Sequence, residues 1–210
     1  MHKAGVNRRE ALRRLTAGGI GAAATPLWIE RLGAVALAHT GHAVPADAAA
    51  WTPQVLDAHQ NETVTVLSEL IIPQTDTPGA RAALVNRFID RVLADAEEAE
   101  RKAFLKGLAW LDARSHELFG SDFVEAAPDR QTALLTILSS PENRTLEDQR
   151  GVELVQAAKD LTVTGYYTSG IGLEQELGDD GNMFLTEFEG CTHPEHAAYA
   201  PAAPTRGRRS

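Results

Sequence analysis

The sequence has almost no cysteine: Cys191 is the only one in 210 residues. A single thiol cannot close an internal disulfide, build an all-cysteine zinc or iron-sulfur site, or attach a c-type haem through Cys-x-x-Cys-His. Basic side chains are scarce in the body of the chain, where 39–204 hold 11 Lys/Arg against 27 Asp/Glu, a net charge of −16. Such a body is repelled by phosphate backbones and anionic lipid heads, which argues against nucleic acid or a lipid surface as partner. Two-residue alternation of β-branched residues is confined to the short Leu161-Thr162-Val163-Thr164, so no sheet is expected. The sequence has no P-loop, no Gly-x-Ser-x-Gly, no His-Glu-x-x-His and no Glu-x-x-His pair of a di-iron bundle. A flavin site needs Gly-x-Gly-x-x-Gly between a strand and a helix; in the nearest approach, Gly170-Ile171-Gly172, Gln175 stands where the third glycine belongs. The expectation is a chain with no cofactor of its own and no equipment for redox chemistry by itself.

The basic residues that are present gather at the ends. Residues 1–38 carry six Lys/Arg against two acids, and three more arginines lie in the last five positions. Asn7-Arg8-Arg9-Glu10-Ala11-Leu12-Arg13 has the adjacent pair, Arg8 and Arg9, and the later leucine of a twin-arginine export signal. A Gly/Ala-rich apolar stretch over 15–27 follows, too short for a membrane span of about 20 apolar residues. Ala36-Leu37-Ala38 offers a small-x-small cleavage pattern. Ala11 and the interrupting Glu30-Arg31 depart from the usual pattern, and the competing reading is an amphipathic N-terminal helix with incidental arginines. Residues 1–38 are therefore expected to be a leader and the protein periplasmic. A twin-arginine substrate crosses the membrane already folded, and without a cofactor motif the reason for that route is a partner.

Residues 39–52 read as an Ala/Pro/Gly-rich linker, with His39 and His42 a solvated pair. Beyond it the spacing predicts helices. Thr52-Pro53 is a start signal and Pro73 a stop, with Val64, Leu67, Leu70 and Ile71 as the apolar stripe. In Ile72-Pro73-Gln74-Thr75-Asp76-Thr77-Pro78-Gly79-Ala80 the expectation is a restart, with Asp76 or Thr77 as cap and Pro78 as first helical residue. The next helix turns Val85, Phe88, Ile89 and Val92 inward and sets its arginines against Asp90 and Asp95 on the other face. The acidic run 97–100 opens a third helix as a solvated face, with Phe104, Leu108, Leu111 and Leu118 buried and Gly120 as its end. A fourth starts at Pro128 and stops at Ser139-Ser140-Pro141; a fifth covers about 146–160. The fold class is all-α, a compact bundle of five or six helices over 53–198, with a glycine-rich irregular C-terminal segment and a disordered tail at 199–210.

The C-terminal third holds glycine at six positions from 165 to 190 and, from Glu153 to Pro204, nine acids against the single base Lys159. Tyr166 and Tyr167 there suit either a partner interface or the protein's own core. Cys191-Thr192-His193-Pro194-Glu195-His196 gathers Cys191, His193 and His196, all potential zinc or copper ligands, which leaves a stand-alone periplasmic metal-binding protein as the alternative. A lone cysteine in an exported protein also raises pairing with another chain, so Cys191 joins Tyr166 and Tyr167 as candidate interface residues.

The arginine-pair leader, the string Ile71-Ile72-Pro73-Gln74-Thr75-Asp76-Thr77-Pro78-Gly79-Ala80 and the later Ala158-Lys159-Asp160-Leu161-Thr162-Val163-Thr164-Gly165-Tyr166-Tyr167-Thr168-Ser169 resemble the gluconate 2-dehydrogenase subunit 3 family. The resemblance implies an all-α accessory subunit that binds a large FAD-dependent catalytic subunit of the glucose-methanol-choline type, acting on a sugar or sugar acid. It further implies that the leader exports the partner as well, through the twin-arginine translocase, and that a cytochrome c accepts the electrons. It carries no catalytic residues to this chain.

Overall fold

The computed structural model describes residues 25–40, 51–143 and 145–179, which form six α-helices and one π-helical turn, with no strand among them. The helices are α1 (Leu27–Ala38), α2 (Ala58–Ile71), α3 (Val85–Asp95), α4 (Glu98–Phe119), α5 (Pro128–Leu138) and α6 (Gln149–Tyr167), followed by the π-helical turn Ile171–Glu176. The all-α bundle expected from the sequence is what these residues build. None of the described helices is long and apolar enough to cross a membrane.

Helix α6 is the axis, packed against each of the other five helices and the π-helical turn. Its sequence explains why. Leu154, Val155, Ala157, Ala158, Leu161, Thr162 and Tyr166 are buried along it, and small residues let neighbours approach closely. A β-carbon added at Gly165 would come within 2.6 Å of the Phe88 ring of α3. Thr162, Val163 and Thr164 continue the helix instead of opening a strand, since the buried stripe repeats at helical spacing through them.

Several boundaries differ from the sequence expectation. Helix α2 starts at Ala58, not at Pro53, because Asp57 and Gln60 form a reciprocal capping box: the Gln60 amide donates to Asp57 Oδ1 at 2.8 Å and the Asp57 amide to Gln60 Oε1 at 3.1 Å. Residues 54–56 bend outside the helix before it, their amides held by Asp90. Helix α3 starts at Val85 and not at Pro78, so neither Asp76 nor Thr77 caps it; its first turn follows Leu84, which sits in the left-handed region at φ 56°. That conformation costs a leucine about 1 kcal/mol and leaves no glycine in the sequence to announce it. The expected end of α4 at Gly120 and the start of α5 at Pro128 are as found. Leu118, assigned to the buried stripe of α4, is 45% exposed, whereas Asp90 and Glu100, assigned to solvated faces, are buried.

The largest difference lies at the N-terminus. The sequence places 1–38 in a detachable leader and begins the folded domain at 53. The structure packs the last part of that leader, α1, against α3, α4 and α6, with Ile29, Leu32 and Ala36 in the core. Arg31, which looks like an interruption in the sequence, donates to the buried Glu100 at 3.0 Å. Residues 1–24, with Arg8 and Arg9, and 41–50 of the linker lie outside the described residues.

Candidate functional site

The two strings that carry the family resemblance lie 78 or more residues apart in sequence and meet in space. The end of α2, the crossing 72–84 and the end of α6 form one hydrogen-bonded unit. Its inner support is Glu69 on α2: Oε1 accepts the Gln74 amide at 2.8 Å and Oε2 the Arg81 amide at 2.9 Å. The crossing is closed at its neck by the Ala80 amide donating to the Ile72 carbonyl at 2.9 Å. Gly79 lies against the carboxylate, where a β-carbon would stand 2.5 Å from Glu69 Oε1 and 2.6 Å from the Gln74 nitrogen. No residue but glycine fits there with the loop unchanged.

From the other side, Tyr166 Oη donates to the Pro78 carbonyl at 2.8 Å, and Thr77 Oγ1 donates to Glu176 Oε2 of the π-helical turn at 2.5 Å. Ser169 Oγ donates to the Tyr166 carbonyl at 2.6 Å and accepts the Gly172 amide at 3.1 Å, which turns the chain from α6 into that turn. The result is a rigid base with a polar tip: Ile72, Gly79 and Ala80 are buried, while Gln74, Thr75 and Asp76 face solvent. Asp76 accepts the Thr75 hydroxyl at 2.8 Å, so the acid contributes to the tip and not to a helix start.

Tyr166 is buried completely and packs edge to face on Tyr167, their ring centroids 5.2 Å apart. As a partner-facing residue it is corrected: its ring fills this chain's own core and its hydroxyl holds the crossing. Tyr167 is half-buried. Cys191, His193 and His196 lie outside the described residues, as does Arg144 between α5 and α6. Among the described residues no group of three or more His, Cys, Asp or Glu is placed to hold a metal ion.

The residue that sequence reasoning missed here is Glu69, whose position on a helix C-terminal turn gives no local signal. A second polar tie missed is His59 on α2, whose Nε2 lies 2.8 Å from Asp112 Oδ2 on α4; Asp112 Oδ1 also accepts the Phe123 amide at 3.1 Å. The hydrogen bond to Asp112 raises the imidazole pKa above 6.5, aided by the charges of Asp112, Asp122 and Asp57 and opposed by partial burial. A pKa higher in the folded than in the unfolded state gives stability that is fully present below about 6.5 and lost as pH rises through the folded value. The side chain is 43% exposed, so the effect is small. Urea midpoints measured at pH 6 and pH 8 should fall more for the parent chain than for His59→Gln over that interval; equal slopes remove the linkage.

The two strings thus interlock into one polar-tipped crossing on an all-α scaffold. The chain belongs to the gluconate 2-dehydrogenase subunit 3 family, whose model matches residues 58–181 and so spans both strings. No curated protein and no solved structure matches the chain.

Proposed function

We propose that this chain is the non-catalytic small subunit of a periplasmic FAD-dependent sugar or sugar-acid dehydrogenase, of the glucose-methanol-choline type. In this reading it binds and stabilises the catalytic flavoprotein and carries it through twin-arginine export. FAD belongs to the partner, and a cytochrome c takes the electrons. The observation that supports the reading best is the joining of the two family strings by the Tyr166 to Pro78 bond, which holds Gln74, Thr75 and Asp76 outward on a rigid base. A preorganised exposed loop binds with little further ordering cost. Tyr167 and Cys191 are the interface residues that remain in this reading.

Co-expression with a candidate flavoprotein dehydrogenase from the same genome tests the proposal. Both chains should co-purify from the periplasm with FAD in the large one, and changing Arg8 and Arg9 to Lys should strand both in the cytoplasm. A small chain that purifies alone with stoichiometric metal overturns the complex. A flavoprotein that reaches the periplasm without it overturns the export role.

A further inference from the structure

We propose that α1 is a permanent element of the folded domain, so that an exported chain is not cut after Ala38 and keeps residues 26–38. The inference goes beyond the proposed function and borrows from it only the reading of the N-terminal segment with Arg8 and Arg9 as an export signal. It rests on where the structure puts the cleavage pattern. Ala36, the small residue at the start of Ala36-Leu37-Ala38, is completely buried, and the helix runs through Ala38, closed by a turn in which the His39 amide donates to the Ala36 carbonyl at 3.0 Å. A peptidase takes its substrate as an extended strand, and chain cutting concentrates at exposed, weakly bonded backbone. To present this bond, the last turn of α1 has to unwind and draw Ala36 out of the core.

The remaining contacts are those of a bundle helix. Leu32 is 1% exposed and Ile29 is 3% exposed, against α3, α4 and α6. Trp28 Nε1 donates to Glu153 Oε2 of α6 at 3.2 Å, and His39 Nε2 lies 2.9 Å from Asp95 Oδ2 at the end of α3. The Arg31 to Glu100 pair is the strongest argument. Glu100 is nearly fully buried, its Oε2 has no hydrogen-bond partner, and its carboxylate is held by a backbone hydrogen bond at Glu100 itself and by Arg31, so releasing α1 would remove the cation that faces it. Removing one member of such a pair is far more damaging than never having formed it. The apolar face of α1 is likewise not a spare: Leu37 points outward at 66% exposed, while Leu32 on the opposite side is enclosed.

Two measurements decide the matter. The intact mass of the small chain recovered from the periplasmic complex should include residues 26–38; an N-terminus at His39 overturns the proposal, including the case in which a partner helix then fills the vacated groove. In the full chain held in the cytoplasm by Arg8→Lys and Arg9→Lys, Leu32→Asp should lower Tm by about 10 °C or abolish soluble protein, Leu32→Ala by about half as much, and Leu37→Asp by no more than about 2 °C. Equal Tm values for the Leu32 and Leu37 variants overturn it. Failure of the export reading appears separately, as a chain that never reaches the periplasm with its arginines intact, and leaves the Tm comparison to judge α1.

Discussion

Replacing Asp90 by Ala should destabilise the protein more than any other single removal of a polar side chain, by about 3–5 kcal/mol. The carboxylate is 1% exposed and accepts three consecutive backbone amides: Gln54 at 2.7 Å on Oδ2, with Val55 and Leu56 at 3.0 Å each on Oδ1. Bonds to an ionised acceptor are worth about 1.5–3 kcal/mol each, and loss of the acceptor leaves the Leu56 amide buried and unsatisfied. Water can reach the more exposed Gln54, which keeps the total below a simple sum. For a chain of this size the loss corresponds to a fall in Tm of about 10 °C or more. Asp90→Asn separates the mechanism from mere bulk. Its oxygen can still serve Val55 and Leu56, while its NH2 faces the Gln54 amide, donor against donor, so it should recover about half the loss. An Asn variant as unstable as the Ala variant would show that charge, and not acceptor geometry, holds the segment.

The same aspartate shows what sequence reading can and cannot reach here. The apolar stripes of α3 through α6 were legible because burial repeats at helical spacing within each segment: Val85, Phe88, Ile89 and Val92 are all in the core, as are Leu134 and Leu138. Pro128 and Gly120 marked a start and an end because their backbone preferences act locally. Polar residues were not legible in this way. Asp90, Glu69 and Glu100 each look like one acid among many on a helix, and each is fixed by groups 5 to 69 positions away. For Asp90 and Glu100 the partner lies 34 or more positions away, outside any local window, and for Glu69 it lies across a loop whose path the sequence does not specify. The Asp57 to Gln60 capping box is the exception, since its signal was local and Pro53 simply offered a competing one.

The packing of the N-terminal helix was hidden from the sequence for a related reason. An arginine pair, a small apolar run and a small-x-small triplet describe an address, but the triplet also has the composition of a helix that packs closely. Only Glu100, Glu153 and Asp95, on three other helices, distinguish the two. For the candidate site, the two family strings could be recognised individually, yet their meeting through Tyr166 and Pro78 could not, because tyrosine in an acidic, glycine-rich stretch suits an interface as readily as a core.

Gly79→Ala should break that meeting point, at about 2–4 kcal/mol. The added methyl would stand 2.5 and 2.6 Å from the two oxygens of Glu69, a side chain that can move, and 2.6 Å from the Gln74 nitrogen, which is backbone. Relief therefore takes one of two routes. If Glu69 swings away, the amides of Gln74 and Arg81 lose their acceptor; if the loop shifts, the Pro78 carbonyl is drawn off Tyr166 Oη. A double-mutant cycle with Glu69→Ala tells these apart. On the first route most of the cost of Gly79→Ala is the loss of Glu69's bonds, so the double variant should be little worse than Glu69→Ala alone. On the second the costs should add, and Tyr166→Phe should cost less in the Gly79→Ala background than in the parent. Urea midpoints of the variants measure all three terms. A Gly79→Ala chain as stable as the parent would mean that the crossing is not held against Glu69, and with it would go the rigid base on which the exposed tip at Gln74, Thr75 and Asp76 depends.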